Sequence, residues 1–394
     1  MNTKTIILLA IVIIPSLAFA TWSPQISGTN VDLRSVCFPS GPVTGYAVGN
    51  AGTVLKTTNG GAVWTRQTSG TSNTLMSVDF PVDQTGYAVG WSGTILKTIN
   101  GGSSWTVIAS GTTTALWSVN FPMDAATGYI TGASGTVLKT TNGGSAWTSI
   151  GIVTINTLLS ASFPTDATTG YVSGDAGTIL KTTDGGASWV VQATGTIANL
   201  WSVDFPTDPT TGYASGLSGT VLKTTAGGSS WSPMASGTTV GLLSTDFPSG
   251  TNTGFCVGDY GSIFKTTDGG SNWTSNVSGT GLYLMSVRFT DPMTGYAVGG
   301  SGTVLKTTDG GLRVGAERFQ GAETVPGLTA VPNPFVSDAR IPGRENEKFR
   351  VYDASGRLVG SFSGCAIGTG LPPGVYFIRT GDGRHSVQRV VKVR

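Results

Sequence analysis

Gly52-Thr53-Val54-Leu55-Lys56-Thr57-Thr58-Asn59-Gly60-Gly61 decides the fold, because the chain repeats it seven times. Variants of it begin at Gly93, Gly135, Gly177, Gly219, Gly261 and Gly302. Their lysines, Lys56, Lys97, Lys139, Lys181, Lys223, Lys265 and Lys306, are spaced by 41 or 42 residues. Two further markers keep the same period. One is an aromatic after glycine, at Tyr46, Tyr87, Tyr129, Tyr171, Tyr213, Phe255 and Tyr296. The other is Phe38, Phe80, Phe121, Phe163, Phe205, Phe247 and Phe289, followed by proline in six of the seven. A fixed period of this length is the mark of a repeat architecture.

Each unit holds four short strand-like runs bounded by turn residues. In the second unit they are expected at Leu75–Phe80, Gly86–Trp91, Gly93–Ile99 and Trp105–Ser110. Four antiparallel strands per unit, repeated radially, describe a β-propeller blade. The chain is therefore expected to be all-β: a seven-bladed β-propeller over 21–311, followed by a smaller β-rich module. Apolar residues at successive positions of the first strand, such as Leu75 beside Met76 and Leu116 beside Trp117, with Arg34 in the equivalent place beside Leu33, suggest sheets packed on both faces by neighbouring blades.

The tryptophans show how the ring should close. Trp64, Trp105, Trp147, Trp189, Trp231 and Trp273 each open a fourth strand. The seventh copy stops at Asp309-Gly310-Gly311, and Val314-Gly315 stands where tryptophan is due. The missing residue lies at the other end, as Trp22, 42 residues before Trp64. Thr21–Ser27 is thus predicted to supply the outer strand of the last blade. Such closure removes edges that would otherwise template aggregation.

Composition agrees. Glycine numbers 59 of 394 residues, about twice the usual share, and charged residues are 11%. Glycine costs about 1 kcal/mol relative to alanine in a helix, so this composition favours short strands and turns. Residues 21–311 carry 7 Lys and 3 Arg against 14 Asp, a net of −4; the tail, 312–394, has a net of +5. The repeat region lacks the basic footprint of a nucleic-acid binder. Lys4, the apolar run Ile6–Phe19 and Ala18-Phe19-Ala20 predict a cleaved export signal over 1–20, with a mature start at Thr21. No later run is long and apolar enough to span a membrane. Cys37, Cys256 and Cys365 fall in different units, and no disulfide is expected.

The turn between third and fourth strands reads TTDGGASW over Thr182–Trp189. A short Asp or Asn accepts hydrogen bonds from backbone N–H groups ahead of it, and glycine supplies positive φ. The motif resembles the Asp-box of sialidases and related propellers. Asp184, Asp268 and Asp309 match it, Asn59, Asn100 and Asn142 are softer matches, and Ala226 has lost the side chain. The resemblance implies a folding element on the face away from any ligand site.

The fuller unit, FPxDxxTGYAVGxxGTVLKTTDGGxSW, is similar to the repeat of photosystem II assembly and stability factor propellers, over 21–311. That implies a non-catalytic protein that holds partner proteins. Such proteins also carry arginines clustered over several blades, whereas this region has Arg34, Arg66 and Arg288 alone. After a polar linker at 312–330, the tail at 331–394 has Val331-Pro332-Asn333-Pro334-Phe335, VYDASGRLVGSF from Val351, GLPPGVYFIR from Gly370 and a terminal VVKVR. It resembles the C-terminal sorting domain of type IX secretion substrates, which implies a small immunoglobulin-like β-sandwich and passage to the cell surface.

Catalytic residue types are scarce. The repeat region has no His and no Glu, and the one histidine of the chain is His385. General acid–base chemistry near neutral pH is left to Asp or Tyr. Asp175 and Asp259, in second-to-third-strand loops two blades apart, are the one pair that a two-carboxylate glycosidase could use. No CxxC, histidine pair or calcium-loop pattern is present, so neither metal nor cofactor is expected. The lysine column is expected to pack its stems between blades with the ammonium in water.

Loops joining second to third strands share one face with the blade-to-blade connections, and unrepeated residues there are the candidate binding residues: Asn50, Trp91, Asp175, Leu217, Asp259 and Tyr260. The expected function is an exported, non-catalytic, monomeric interaction or assembly scaffold whose partner is another protein. The alternative is a carbohydrate-binding or sialidase-like propeller acting on a surface glycan.

Overall fold

The computed structural model describes residues 22–151, 154–248 and 251–311, and in the tail 348–353, 358–363, 371, 374–380 and 388–392. The leader and its cleavage site, the linker, Cys365 and His385 lie outside the described residues. Contacts divide the chain into two units, one of them Thr21–Gly311.

That unit is a seven-bladed β-propeller. Blade 1 runs Leu33–Cys37, Gly45–Gly49, Thr53–Thr57 and Thr65–Gln67, each strand antiparallel to the next. Blade 2 follows as Leu75–Val82, Thr85–Gly90, Ile95–Thr98 and Thr106–Ile108. Blades 3, 4, 5 and 6 repeat the pattern. The first strands touch one another in a ring, and that of blade 7, Leu284–Phe289, meets that of blade 1.

The second and third strands end sooner than the sequence suggests. Trp91 and Gly93 belong to neither strand. They flank Ser92, whose φ of 55° turns the chain through a single tight turn. All seven blades have this left-handed residue before glycine, from Ala51 to Ser301. The side-chain cost of that conformation explains the small residues at six of these positions.

Blade 7 is assembled from both ends of the unit. Ser23–Gln25 pairs antiparallel with the strand Val304–Thr307, in the register Ser23 to Lys306 and Gln25 to Val304. The strand is three residues long, shorter than the predicted Thr21–Ser27. Trp22 is 2% exposed and packs edge-on against Phe289 at 5.7 Å and Phe255 at 6.4 Å.

Between blades, one aromatic arrangement recurs. The second-strand tyrosine of one blade stacks on the phenylalanine at the end of the next blade's first strand, as Tyr171 does on Phe205 at 3.7 Å. That phenylalanine meets the tryptophan of its own blade edge-on, as Phe205 meets Trp231 at 6.0 Å. Aromatic pairs contribute about 0.5–1.5 kcal/mol each beyond their burial. The glycine before each tyrosine makes the stack possible. A Cβ on Gly212 would lie 2.4 Å from the Phe205 ring.

The tail contributes, among its described residues, one antiparallel sheet of four strands. Its order is Leu358–Ser363, Lys348–Asp353, Gly374–Thr380 and Gln388–Lys392.

Candidate binding face and propeller axis

In six of the seven blades the repeated lysine and tyrosine are engaged with the next blade. Lys181 Nζ donates to the Gly227 carbonyl of the next blade's Asp-box at 2.8 Å, and Tyr171 Oη donates to the same oxygen at 3.1 Å. The Lys181 ammonium also lies 5.5 Å from the Tyr171 ring centre. The joint recurs from Lys56 and Tyr46 on Gly101 to Lys306 and Tyr296 on Gly60. The lysine heads are therefore not simply in water, as the sequence suggests; the neighbouring turn offers a carbonyl within reach. Burial pushes the phenols of Tyr46, Tyr171 and Tyr296 up to about 12, which keeps them neutral donors.

The Asp-box residues act inside their own turns. Asp184 Oδ1 accepts from the Ser188 N–H at 2.9 Å and the Thr182 hydroxyl at 2.8 Å, while Thr182 Oγ1 accepts from the Gly186 N–H. The Ser188 hydroxyl holds the Asp184 carboxyl down to about 2. Asn59, Asn100, Asn142 and Asp268 accept from the backbone N–H four residues on in the same way. Asp309 accepts from the Thr307 hydroxyl at 2.8 Å. At Ala226 only the threonine part survives, as Gly228 N–H to Thr224 at 3.0 Å.

A second set of residues, missed from the sequence, lines the axis. A β-bulge between Leu33 and Ser35 and at the equivalent points of every blade turns the intervening side chain away from the neighbouring blade. Trp117 of blade 3 consequently meets Trp201 of blade 5 at 5.8 Å, across blade 4. Arg34, read as facing a neighbouring blade, instead has its guanidinium 5.7 Å from the Tyr283 ring and bonded to Asn50 Oδ1 at 3.1 Å. The next position is serine in all seven blades, and Ser35 Oγ accepts from the Val78 N–H of the following blade at 3.3 Å. Two residues further on stand Cys37, Asp79, Asn120, Ser162, Asp204, Asp246 and Arg288.

This last ring holds most of the unusual electrostatics. Asp79 accepts from the Phe121 N–H at 2.7 Å, Asp204 from Phe247 at 3.0 Å and Asp246 from Phe289 at 2.8 Å. Arg288 pairs with Asp246 at 3.1 Å. Burial raises Asp79 to about 6; burial and then the charge of Asp246 raise Asp204 to about 7. Burial also pushes the free thiols of Cys37 and Cys256 up to about 12, so neither is a nucleophile near neutral pH. The period-42 serine and the variable position after it were visible in the sequence; the bulge that aims them inward was not. Among the described residues no group of three or more His, Cys, Asp or Glu converges as a metal site.

The predicted binding residues lie on the second-to-third-strand turns, one per blade. Trp91 is 50% exposed on blade 2 and Tyr260 is 77% exposed on blade 6. Asp175, Leu217 and Asp259 take equivalent positions on blades 4, 5 and 6 and are half-buried. Each of these turns is held by an N–H to the carbonyl just before a first strand, such as Asp259 to Gly241 at 3.0 Å. Asn50 differs, because its amide bonds Arg34 and Asp32. Asp32 is held below the usual carboxylate range, first by the Tyr283 hydroxyl.

A family model described as photosynthesis system II assembly factor YCF48 matches residues 14–108, 63–155 and 147–281. No curated protein matches the chain. Among solved structures, one titled YCF48 bound to D1 peptide is similar with a TM-score of 0.62 and 18% identity, over 75% of this chain and 98% of that one. YCF48 from Cyanidioschyzon merolae is similar with a TM-score of 0.62 and 22% identity, over 73% of this chain and 99% of that one. The matched stretches hold all but the last of the Tyr–Lys–Gly joints and all but the last of the Asp-boxes, and on that basis the chain belongs to the photosynthesis system II assembly factor YCF48 family.

Proposed function

We propose that the chain is a non-catalytic assembly or interaction scaffold that offers the second-to-third-strand face of its propeller to a protein partner. One observation carries this reading. The tyrosine hydroxyls and lysine ammoniums of six of the seven copies are engaged in blade-to-blade joints, which leaves unrepeated residues on one face as the surface free to vary. The family's assembly-factor description and the D1 peptide held by one structural neighbour agree with a protein as the partner. Photo-crosslinking from Ser218, on that face, should capture a protein in the native host. Turnover of a sialoside or glucan that is lost in Asp175→Asn or Asp259→Asn would favour the enzymatic alternative.

The reading extends to location. The apolar leader is taken to direct export, and the tail to be a small immunoglobulin-like sandwich that sorts the protein to the cell surface, with the propeller a monomer. The NP, YDASGR, LPPGVY and terminal basic elements support it. A chain ending at Gly311 should then be exported but fail to reach the surface. Normal surface display of that truncation would sink the sorting role.

A further inference from the structure

The seven tight turns serve as controls for one another. Their left-handed residue is Ala51, Ser92, Ser134, Ala176, Ser218 or Ser301 in six blades, at φ of 50–56°. In blade 6 it is Tyr260, at φ 56° and 77% exposed. A bulky side chain is disfavoured in this conformation, and an exposed ring gains no burial in return. Folding alone does not account for a tyrosine there.

Beside it, a second exception occurs. The residue just before the first strand carries a side chain in six blades, among them Asp32, Thr74, Asn199 and Tyr283, but is Gly241 before blade 6. A Cβ there would lie 2.5 Å from Asp259 Oδ2 and 3.1 Å from Leu217 Cδ2. The missing side chain thus makes room for the Asp259 carboxylate against Leu217, in the gap between blades 5 and 6. Among the described residues no group donates a hydrogen bond to that carboxylate, although it is half-buried.

Among the described residues no lysine or arginine pairs with it. Six of the seven column lysines are bonded to a glycine carbonyl, as Lys223 is to Gly269, and Lys265 lies over the Phe255 ring. Arg34 and Arg288 are paired with Asp32 and Asp246. Arg66 stands on blade 1, bonded to the Ala51 carbonyl.

We propose that Tyr260, Asp259 and Leu217 form a docking point for a basic side chain of a partner polypeptide. This inference rests on the scaffold reading and names the chemistry of the partner. The lysine or arginine head of the partner would sit between the Asp259 carboxylate and the face of the Tyr260 ring, with its aliphatic stem on Leu217. A cation over an aromatic ring and beside a half-buried carboxylate gains from both. Asp175, at the same position of blade 4, would meet a second basic residue of the same segment.

Fluorescence anisotropy on the full chain tests it. The probe is a fluorescein-labelled decapeptide alternating lysine with leucine, and the control is the same peptide with every lysine acetylated. The lysine form should bind more weakly as salt rises. Tyr260→Ser, which installs the residue of four sister blades, should keep the melting temperature and weaken binding roughly tenfold, and Asp259→Asn should do likewise. Asp175→Asn should weaken it less. Equal binding of the acetylated peptide, or unchanged affinity in Tyr260→Ser, would overturn the proposal. So would displacement of the lysine peptide from Tyr260 by sialyllactose or chitohexaose. If Ser218 crosslinks a protein in the host while no lysine peptide binds, this docking point fails and the scaffold reading stands. If Ser218 crosslinks nothing, the scaffold reading fails too.

Discussion

Six of the seven blade junctions are near copies; the junction of blades 6 and 7 is not. In the others a tyrosine hydroxyl and a lysine ammonium meet on one glycine carbonyl. Here the tyrosine is Phe255, which has no hydroxyl, and Lys265 faces the Phe255 ring with Asp309 as its nearby charge. Burial lowers the ammonium of Lys265. In place of the joint, Asn276 Nδ2 donates to the Gly311 carbonyl at 3.1 Å. This is also the blade stitched from both ends of the unit, by three residues beside Trp22. The apolar part of the joint is kept while the polar part is thinned. The ring is therefore closed chiefly by aromatic burial, and its weakest polar seam falls where the chain ends meet.

Removing Trp22 should have the largest effect. Trp22→Ala takes away a ring buried against Phe255 and Phe289, and a cost of about 3–5 kcal/mol is expected in chemical denaturation. Trp189→Ala should cost a similar amount. The two should differ in hydrogen exchange. Trp22→Ala should release the amides of Ser23–Gln25 before the rest unfolds, whereas Trp189→Ala should not open one blade selectively. Identical exchange patterns would remove the distinction between the seam and an internal blade.

The first-strand aspartates of blades 2 and 5 set a pH dependence. Asp204 is raised to about 7 and Asp79 to about 6, so the native state holds protons that the unfolded chain gives up near 4. Stability from these groups is complete below about pH 4 and is lost as pH rises through 6 and 7, each contributing a slope of up to about 1.4 kcal/mol per pH unit. Asp204→Asn should flatten the upper part of that slope, between pH 6 and 7. A stability that climbs with pH across that window would contradict the arrangement.

Hydroxyl exchange gives a smaller and more pointed comparison. Tyr171→Phe deletes a donor to the Pro209 and Gly227 carbonyls and should cost about 1 kcal/mol. Phe255→Tyr adds the same donor at the odd junction and should gain a similar amount, read as a rise in denaturation midpoint. The smallest change is at blade 5, where Ala226→Asp would restore the missing turn acceptor. About 0.5–1 kcal/mol of stabilisation is expected there, from thermal melting. If neither addition stabilises, the missing groups are no weakness of those joints.

Much of this was legible before any coordinates. The glycines of the repeat, the Asp-box residues and the Trp22 offset are local or periodic signals. A turn needs positive φ at a fixed place, and a ring of seven must find its seventh tryptophan somewhere. The direction of the first-strand side chains was misjudged, since a strict alternation of faces puts Arg34 and Trp117 between blades. The lysine heads were misjudged for a related reason, as their acceptor lies in the next repeat.

By itself the sequence determined the number of blades, the boundaries of the repeat and the turn that each Asp or Asn holds, because those follow from spacing and local backbone chemistry. Only the tertiary structure decided which residues line the axis, where the column lysines find their acceptors, and that Asp259 rests in the gap left by Gly241. Those facts depend on a one-residue bulge and on contacts between separate repeats, and neither a bulge nor a neighbour is written in the period.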